Sequence, residues 1–272
     1  MDVYPPVRVL RRERFTVGKI IAVTNQKGGV GKTTTAVNLS ACVAALGKKV
    51  LLADIDPQGN ATSGLGKNDG DGATIYDVLI GEATAKEAVV ETGFGSLDLI
   101  PTAIELAGAE IELVAVENRE KLLRDALEPL RAEYDFIFID CPPSLSLLTL
   151  NALTAADSVL IPIQCEYYAL EGVGQLVNTV KLMRRKLNPD LAVEGILLTM
   201  FDGRTNLCAQ VAQEVRKHFR DEAFSTVIPR NVRLSEAPSY GLPIHMYDAR
   251  CPGAKAYMAL AEELLERNRM RQ

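Results

Sequence analysis

Eight consecutive residues, Lys27-Gly-Gly-Val-Gly-Lys-Thr-Thr34, carry what is needed to hold a chain of phosphates. Gly28, Gly29 and Gly31 permit positive φ and let the backbone come close to an anion. Their amides, with those of Val30 and of the helix start at Lys32, Thr33 and Thr34, form a concave set of donors. Lys32 adds a cation aimed at the β- and γ-phosphates, and the Thr33 hydroxyl suits Mg²⁺. The common G-x-x-x-x-G-K-[ST] spacing is not met in full, because Gln26 stands where its first glycine belongs. A dinucleotide G-x-G-x-x-G reading fails as well, with Thr34 in place of the third glycine.

Such a loop needs a strand before it and a helix after it. The residues Ile20–Thr24 read as that strand. Further strands are expected at Val50–Ile55, Leu97–Ile100, Phe136–Asp140, Ser158–Ile163, Val193–Met200 and near Ser225–Ile228. Several are apolar without alternation, which suits parallel strands covered on both faces. Helical patterns lie between them; the clearest is Ala169–Leu187, whose Leu170, Val173, Leu176, Val177, Val180, Met183 and Leu187 form a core-facing stripe. The implied fold is α/β: a single doubly wound, mostly parallel twisted sheet flanked by helices, spanning residues 19–272. Residues 1–18, with Pro5-Pro6 and four arginines, are expected to be a flexible arm, and Gly64–Gly72 reads as a loop.

Composition excludes several classes of function. At 47% hydrophobic and 24% charged residues, the 272-residue chain is an ordinary globular protein, with no apolar run long enough to span a bilayer. The five cysteines are scattered and never in C-x-x-C spacing, so neither a disulfide framework nor a cysteine metal site is expected. Two histidines, His218 and His245, are too few for a histidine cluster. The net charge of -5 disfavours nucleic acid, yet it is unevenly spread: residues 1–180 hold 15 basic against 24 acidic side chains, residues 181–272 15 against 11. The C-terminal third could therefore carry a basic face.

The glycine-rich box resembles the deviant Walker A motif of the ParA/MinD ATPases, in which the extra lysine, here Lys27, is the signature. Three further stretches are similar to boxes of the ParA/Soj branch: Leu51-Leu-Ala-Asp-Ile-Asp-Pro-Gln-Gly-Asn-Ala-Thr62, Asp135-Phe-Ile-Phe-Ile-Asp-Cys-Pro-Pro-Ser144 and Val227-Ile-Pro-Arg-Asn-Val-Arg-Leu-Ser-Glu-Ala-Pro-Ser-Tyr-Gly241. The resemblance runs from about Lys19 to Leu265. It implies an ATPase, weak alone and stimulated by a partner, that uses ATP and Mg²⁺. Asp54 and Asp56 are expected to point to opposite sides of a strand end, so that only one faces the nucleotide. The resemblance assigns that place to Asp56, positioning the attacking water, and has Asp140 hold magnesium through a water. In relatives the residue matching Lys27 reaches the ATP of a second subunit, so an ATP-dependent homodimer is implied. Base and ribose contacts are implied at Met200, Pro229, Arg230 and Asn231.

The same resemblance supplies the partners. Arg204 and Arg233 match places where relatives carry DNA-contacting arginines. Lys181, Arg184, Arg185, Lys186, Arg216, Lys217 and Arg220 add charge nearby in sequence. Binding to double-stranded DNA would then be non-specific and salt-sensitive. A chromosome- or plasmid-partitioning switch released by a ParB-like centromere-binding protein is the leading expectation, placed in the cytoplasm on the nucleoid. A relative that positions a protein cargo is the alternative, and a plasmid partition repressor is disfavoured because 19 residues cannot hold a helix-turn-helix domain. No membrane role is expected. The C-terminal apolar face of Tyr257, Leu260, Ala261, Leu264 and Leu265 is interleaved with Glu262, Glu263 and Glu266, and an acidic helix repels anionic lipid.

Overall fold

Phe136-Ile-Phe-Ile-Asp140 sets the plan of the molecule: all five residues are buried, so this strand must be covered on both faces. The computed structural model describes residues 17–68, 72–166 and 169–270, with backbone only at 169–173, 175 and 176. Its strands are β1 (Lys19–Val23), β2 (Val50–Asp54), β3 (Val90–Phe94), β4 (Leu97–Ile100), β5 (Phe136–Asp140), β6 (Ser158–Gln164), β7 (Ala192–Phe201) and β8 (Ala223–Pro229). They form one sheet in the order β3-β4-β2-β5-β1-β6-β7-β8, parallel throughout except for β3 against β4.

Helices cover both faces. They are α1 (Lys32–Ala45), α2 (Asn60–Gly64), α3 (Ile75–Ile80), α4 (Leu106–Glu112), α5 (Leu122–Leu127) and α6 (Leu147–Ala155). The chain continues through α7 (Ala169–Lys186), α8 (Asn206–His218), α9 (Arg233–Glu236), α10 (Ile244–Tyr247) and α11 (Pro252–Met270). One core, holding Ile20, Leu51, Ile137 and Ile161, is closed by residues of α3 to α8. The other, holding Ile21, Leu52, Phe138 and Leu160, is closed by α1, α2, α10 and α11. Successive residues of each strand thus feed opposite cores, as the two-residue repeat of a strand requires.

The expected parallel strands are all present, with ends shifted by a few residues. β3 is an additional, eighth strand. Its Val-Glu-Thr-Gly-Phe sequence has one fully buried side chain, Thr92, so no apolar run announces it; it is an edge strand that β4 recruits. Gly64 ends α2 rather than opening a loop, and residues 69–71 of the expected loop lie outside the described residues, as does the expected arm up to residue 16. The C-terminal helix docks. Tyr257, Leu260, Ala261, Leu264 and Leu265 are buried, and Glu263 accepts the amides of Ser225 and Thr226 at 2.8 and 2.9 Å. All five cysteines are free and buried.

Candidate functional site

Strand order around β1 places the site. β1 is flanked by β5 and β6, while its successor β2 lies beyond β5. Chains leaving β1 and β6 therefore depart in opposite directions, opening a crevice at the carboxyl edge of the sheet. The loop from Asn25 to Gly31 rises there. Gly29 and Gly31 have φ of 74° and 85°, values that penalise any side chain, and a Cβ built on Gly28 or Gly29 would meet nothing within 4 Å. The space above them is open to a ligand. Bonding along α1 begins with the Thr35 amide on Gly31 O at 2.9 Å, and no side chain among the described residues caps the helix. The amides of Lys32, Thr33 and Thr34 are thus the open donors of its first turn.

The loop is braced from below. Asn25 accepts the Lys27 amide at 3.0 Å and donates to Pro162 O at 2.8 Å. The Thr199 hydroxyl lies 2.9 Å from Val30 O and 3.0 Å from Ile163 O, joining the loop to the β6–β7 seam. Gln26, which replaces the expected glycine, donates to the Thr179 hydroxyl of α7 at 3.2 Å. A longer side chain here anchors the loop sideways.

The two lysines are disposed oppositely. Lys32 is 6% exposed and turns in, with Nζ 3.2 Å from the Lys27 carbonyl. Burial lowers its pKa, opposed by the nearby Asp140, Cys141 and Asp56. Lys27 turns out: its side chain is about half exposed and its ammonium meets Glu166, beyond the end of β6, at 2.6 Å. Nothing in the sequence pointed to Glu166, since the contact joins residues 139 positions apart.

Asp140, Asp54 and Asp56 lie near enough to influence one another. Asp140 ends β5 at full burial; among the described residues only the Thr33 hydroxyl comes near its oxygens, short of regular hydrogen-bond geometry. Burial first, and then the charge of Asp54, push it well above the usual carboxylate range, against the pull of Thr33 and Lys32. An orphaned buried carboxylate costs about 1–3 kcal/mol or more, so a site that retains one calls for a partner. A divalent cation beside Thr33 would supply that partner, and an oxygen donor set suits magnesium.

Asp54 and Asp56 do part, but the expected reason needs correcting. Residues two apart on one strand share a face. They separate because β2 ends at Asp54 and the chain turns there, with the Asp56 amide bonded to Asp54 at 3.2 Å. Asp54 faces inward, accepting the Thr62 amide and hydroxyl, each at 2.8 Å, and burial pushes its pKa up to about 6. Asp56 lines the cleft.

That cleft measures about 520 Å³. Its lining includes Gly28, Gly29, Gly31, Lys32, Thr33 and Thr34 of the loop and helix start, and Asp56, Gln58, Asn60 and Pro143 from the ends of β2 and β5. Val37, Asn38, Ser63, Gly64, Met200, Ala237, Pro238 and Leu242 complete it. Of the four residues expected at the base, Met200 lines the cleft and Pro229, Arg230 and Asn231 stand outside its lining. Met200 has φ of 50°, a strained value for an L-residue at the lip of a cleft. Asn38 donates to Thr34 O at 2.8 Å and accepts the Ile244 amide at 2.6 Å, holding α10 against α1. Gly66 and Gly241, both at positive φ, meet face to face: a Cβ on Gly241 would fall 2.7 Å from the Gly66 Cα. This contact seats Pro238 beside Gly64.

The basic residues divide between the two edges of the sheet. Arg204 follows β7 and Arg233 follows β8, both at the carboxyl edge; the ends of α7 and α8, with Lys181–Lys186 and Arg216–Arg220, lie at the opposite edge because each helix returns the chain to start the next parallel strand. Both named arginines already hold carboxylates. Arg204 grips Asp202 at 2.7 and 2.9 Å, and Arg233 reaches Glu236 at 2.8 Å and Asp248 at 3.7 Å. No helix among the described residues is long and apolar enough to cross a membrane.

Residues 18–193 match a family model described as an AAA domain. The chain is 62% identical over 249 residues to the sporulation initiation inhibitor protein Soj of Bacillus subtilis, covering 91% of this chain and 98% of that protein. It is 58% identical over 254 residues to the chromosome partitioning protein ParA of Myxococcus xanthus, covering 93% and 90%. Among solved structures, it is similar to cobyrinic acid a,c-diamide synthase of Mycobacterium smegmatis with a bound ATP analog and magnesium, with a TM-score of 0.82 and 38% identity over 94% of this chain and 98% of that one. The cell division ATPase MinD of Pyrococcus furiosus superposes with a TM-score of 0.77 at 30% identity, covering 92% and 99%.

Proposed function

The chain belongs to the Soj/ParA family of chromosome-partitioning proteins, and from that premise we propose that it is an ATP-driven DNA-partitioning switch. ATP would lie along the cleft with its phosphates on the amides of Gly28 to Thr34 and its base toward Met200, Pro238 and Leu242. Magnesium, held by the Thr33 hydroxyl and through a water by Asp140, would neutralise charge on the β- and γ-phosphates. Lys32 leaves the Lys27 carbonyl to meet the same phosphates from within. Asp56, which lines the cleft, orients the attacking water.

The observation that carries this reading is the opposite disposition of the two loop lysines. A cation already turned inward serves the phosphates of its own subunit. A second cation, turned outward and held among the described residues by the half-exposed Glu166, can serve those of another. Inserted across a two-fold interface, Lys27 neutralises γ-phosphate charge as an arginine finger does. Dimerisation then requires the γ-phosphate, and hydrolysis weakens it. The dimer would hold double-stranded DNA without regard to sequence, with Arg204 and Arg233 exchanging their carboxylates for phosphates. A ParB-like partner would stimulate hydrolysis and release the dimer from the nucleoid in the cytoplasm.

The test is the oligomeric state of an Asp56→Ala variant by size-exclusion chromatography. Dimer with ATP and monomer with ADP or no nucleotide is expected. Identical elution in all three conditions would falsify the switch. Retained DNA binding by the Arg204→Glu/Arg233→Glu double variant, in its ATP dimer, would move the DNA face to the opposite edge of the sheet.

A further inference from the structure

The segment Ile104–Ala115 has two apolar faces, and the core uses only one. Leu106, Ala109 and Leu113 point inward and are buried. Helical turns start early here, with the Ala107 amide on Ile104 O at 3.0 Å and the Gly108 amide on Glu105 O at 2.8 Å, and continue through α4 into a 3₁₀ turn at Leu113–Ala115. On this winding Ile104, Ala107, Gly108, Ile111, Val114 and Ala115 share the outer face. The large members are open to solvent: Ile104 is 67% exposed, Ile111 80% and Val114 61%. Single exposed aliphatics need no explanation, but a helical stripe of them does. Small residues, Ala107 and Gly108, occupy its middle, and a Cβ on Gly108 would meet only the Glu112 carboxylate, at 3.3 Å. A partner helix can come close there.

We propose that this stripe is the docking face for a basic amphipathic helix of a second protein. Charge selects that occupant. Between residues 104 and 120 stand Glu105, Glu110, Glu112, Glu117 and Glu120 against Arg119 alone. Glu105 and Glu112, seven apart, rim one side of the apolar row. A second copy of this chain would bring the same acidic rim against it. The row is also too short to form alone the roughly 800 Å² per partner of a standard interface. One helix with apolar residues at matching i, i+3/i+4, i+7 and i+11 positions and lysines or arginines on its flanks satisfies both demands.

The place of the stripe gives docking a consequence. Glu110 accepts the Leu148 amide in the first turn of α6 at 3.5 Å, and the segment leading into α6 carries Pro143, a wall of the cleft. On the reading of the preceding subsection, a helix seated on α4 presses on the stretch that follows Asp140. The stripe is then where a stimulating partner acts.

A fluorescent synthetic peptide of about five helical turns, leucines on one face and lysines on the flanks, is the probe for anisotropy titration against the full chain. Ile111→Glu should weaken binding at least tenfold, without loss of thermal stability because Ile111 is outside the core. Glu105→Lys/Glu112→Lys should weaken it several-fold and favour a peptide with glutamates in place of lysines. Equal binding of a shuffled peptide, or unchanged affinity in both variants, overturns the proposal. So does loss of the ATP-dependent dimer in Ile111→Glu with no effect on the peptide, which would give the stripe to a second copy. The titration needs no nucleotide, so its failure is separate from failure of the ATP switch.

Discussion

One part of the cleft lining comes from a single stretch of chain, Gly28 to Thr34, whereas the rest gathers residues from Val37 to Leu242. The first part works through charge and open amides, and its shape is written into local backbone angles at Gly29 and Gly31. The second works through packing. Asn38 fastens α10 to α1, and the Gly66–Gly241 contact fixes how near Pro238 stands to Gly64. Substitutions in the two parts should therefore fail differently: ligand affinity falls without loss of fold in one, and fold and affinity fall together in the other.

Four substitutions can break or sharpen that contrast. Lys32→Ala should show the largest effect, weakening ATP binding by about 100-fold or more, from the loss of charge-assisted bonds worth about 1.5–3 kcal/mol each. Its melting temperature without nucleotide should change little. Isothermal titration beside a thermal melt reads both, and retained ATP affinity would defeat the phosphate-site assignment. Gly241→Ala comes next. A side chain at φ of 64° pressed within 2.7 Å of Gly66 Cα should cost about 1–3 kcal/mol of stability and lower nucleotide affinity in parallel. If affinity falls while the melt is unchanged, that second part is not held by packing.

Asp140→Asn should move stability the other way. Replacing a buried carboxylate that lacks regular hydrogen-bond partners with a neutral amide should stabilise the nucleotide-free protein by about 1 kcal/mol, while the dependence of ATP binding on magnesium shrinks. A destabilised variant would mean that the carboxylate has a structural role. Glu166→Gln should have the smallest effect. Exposed ion pairs contribute about 0.2–1 kcal/mol, so freeing Lys27 should lower the ATP concentration for dimerisation by about two- to fivefold. Raised salt should erase the difference between variant and parent.

Legibility followed locality. The glycine-rich loop between β1 and α1 could be read because one run of residues carries its glycines, lysines and helix start together. The central strands could be read because burial on both faces forces apolar runs such as Phe136–Ile139. β3 could not, since an edge strand with Glu91 and Thr92 shows neither an apolar run nor a clean alternation. The rest of the lining was out of reach beyond Met200, because Asn38, Pro238 and Leu242 meet only once α1, α2 and α10 are stacked. Glu166 was missed for the same reason. Nearness in sequence along α7 and α8 likewise says nothing about which edge of the sheet a helix end reaches.

The clamp around Asp54 bears on how the cleft could change shape. Asp54 holds the backbone and hydroxyl of Thr62, and that hydroxyl also receives the Thr102 amide at 3.1 Å, so the end of β2, the start of α2 and the exit from β4 are pinned at one point. The stretch between, with Asp56, Gln58 and Asn60, is a short span fixed at both feet. Its feet are fixed like the piers of a bridge, so any change of shape is confined to its crown. On the proposed function, movement confined there would shift Asp56 relative to a phosphoryl group without disturbing the sheet beneath it.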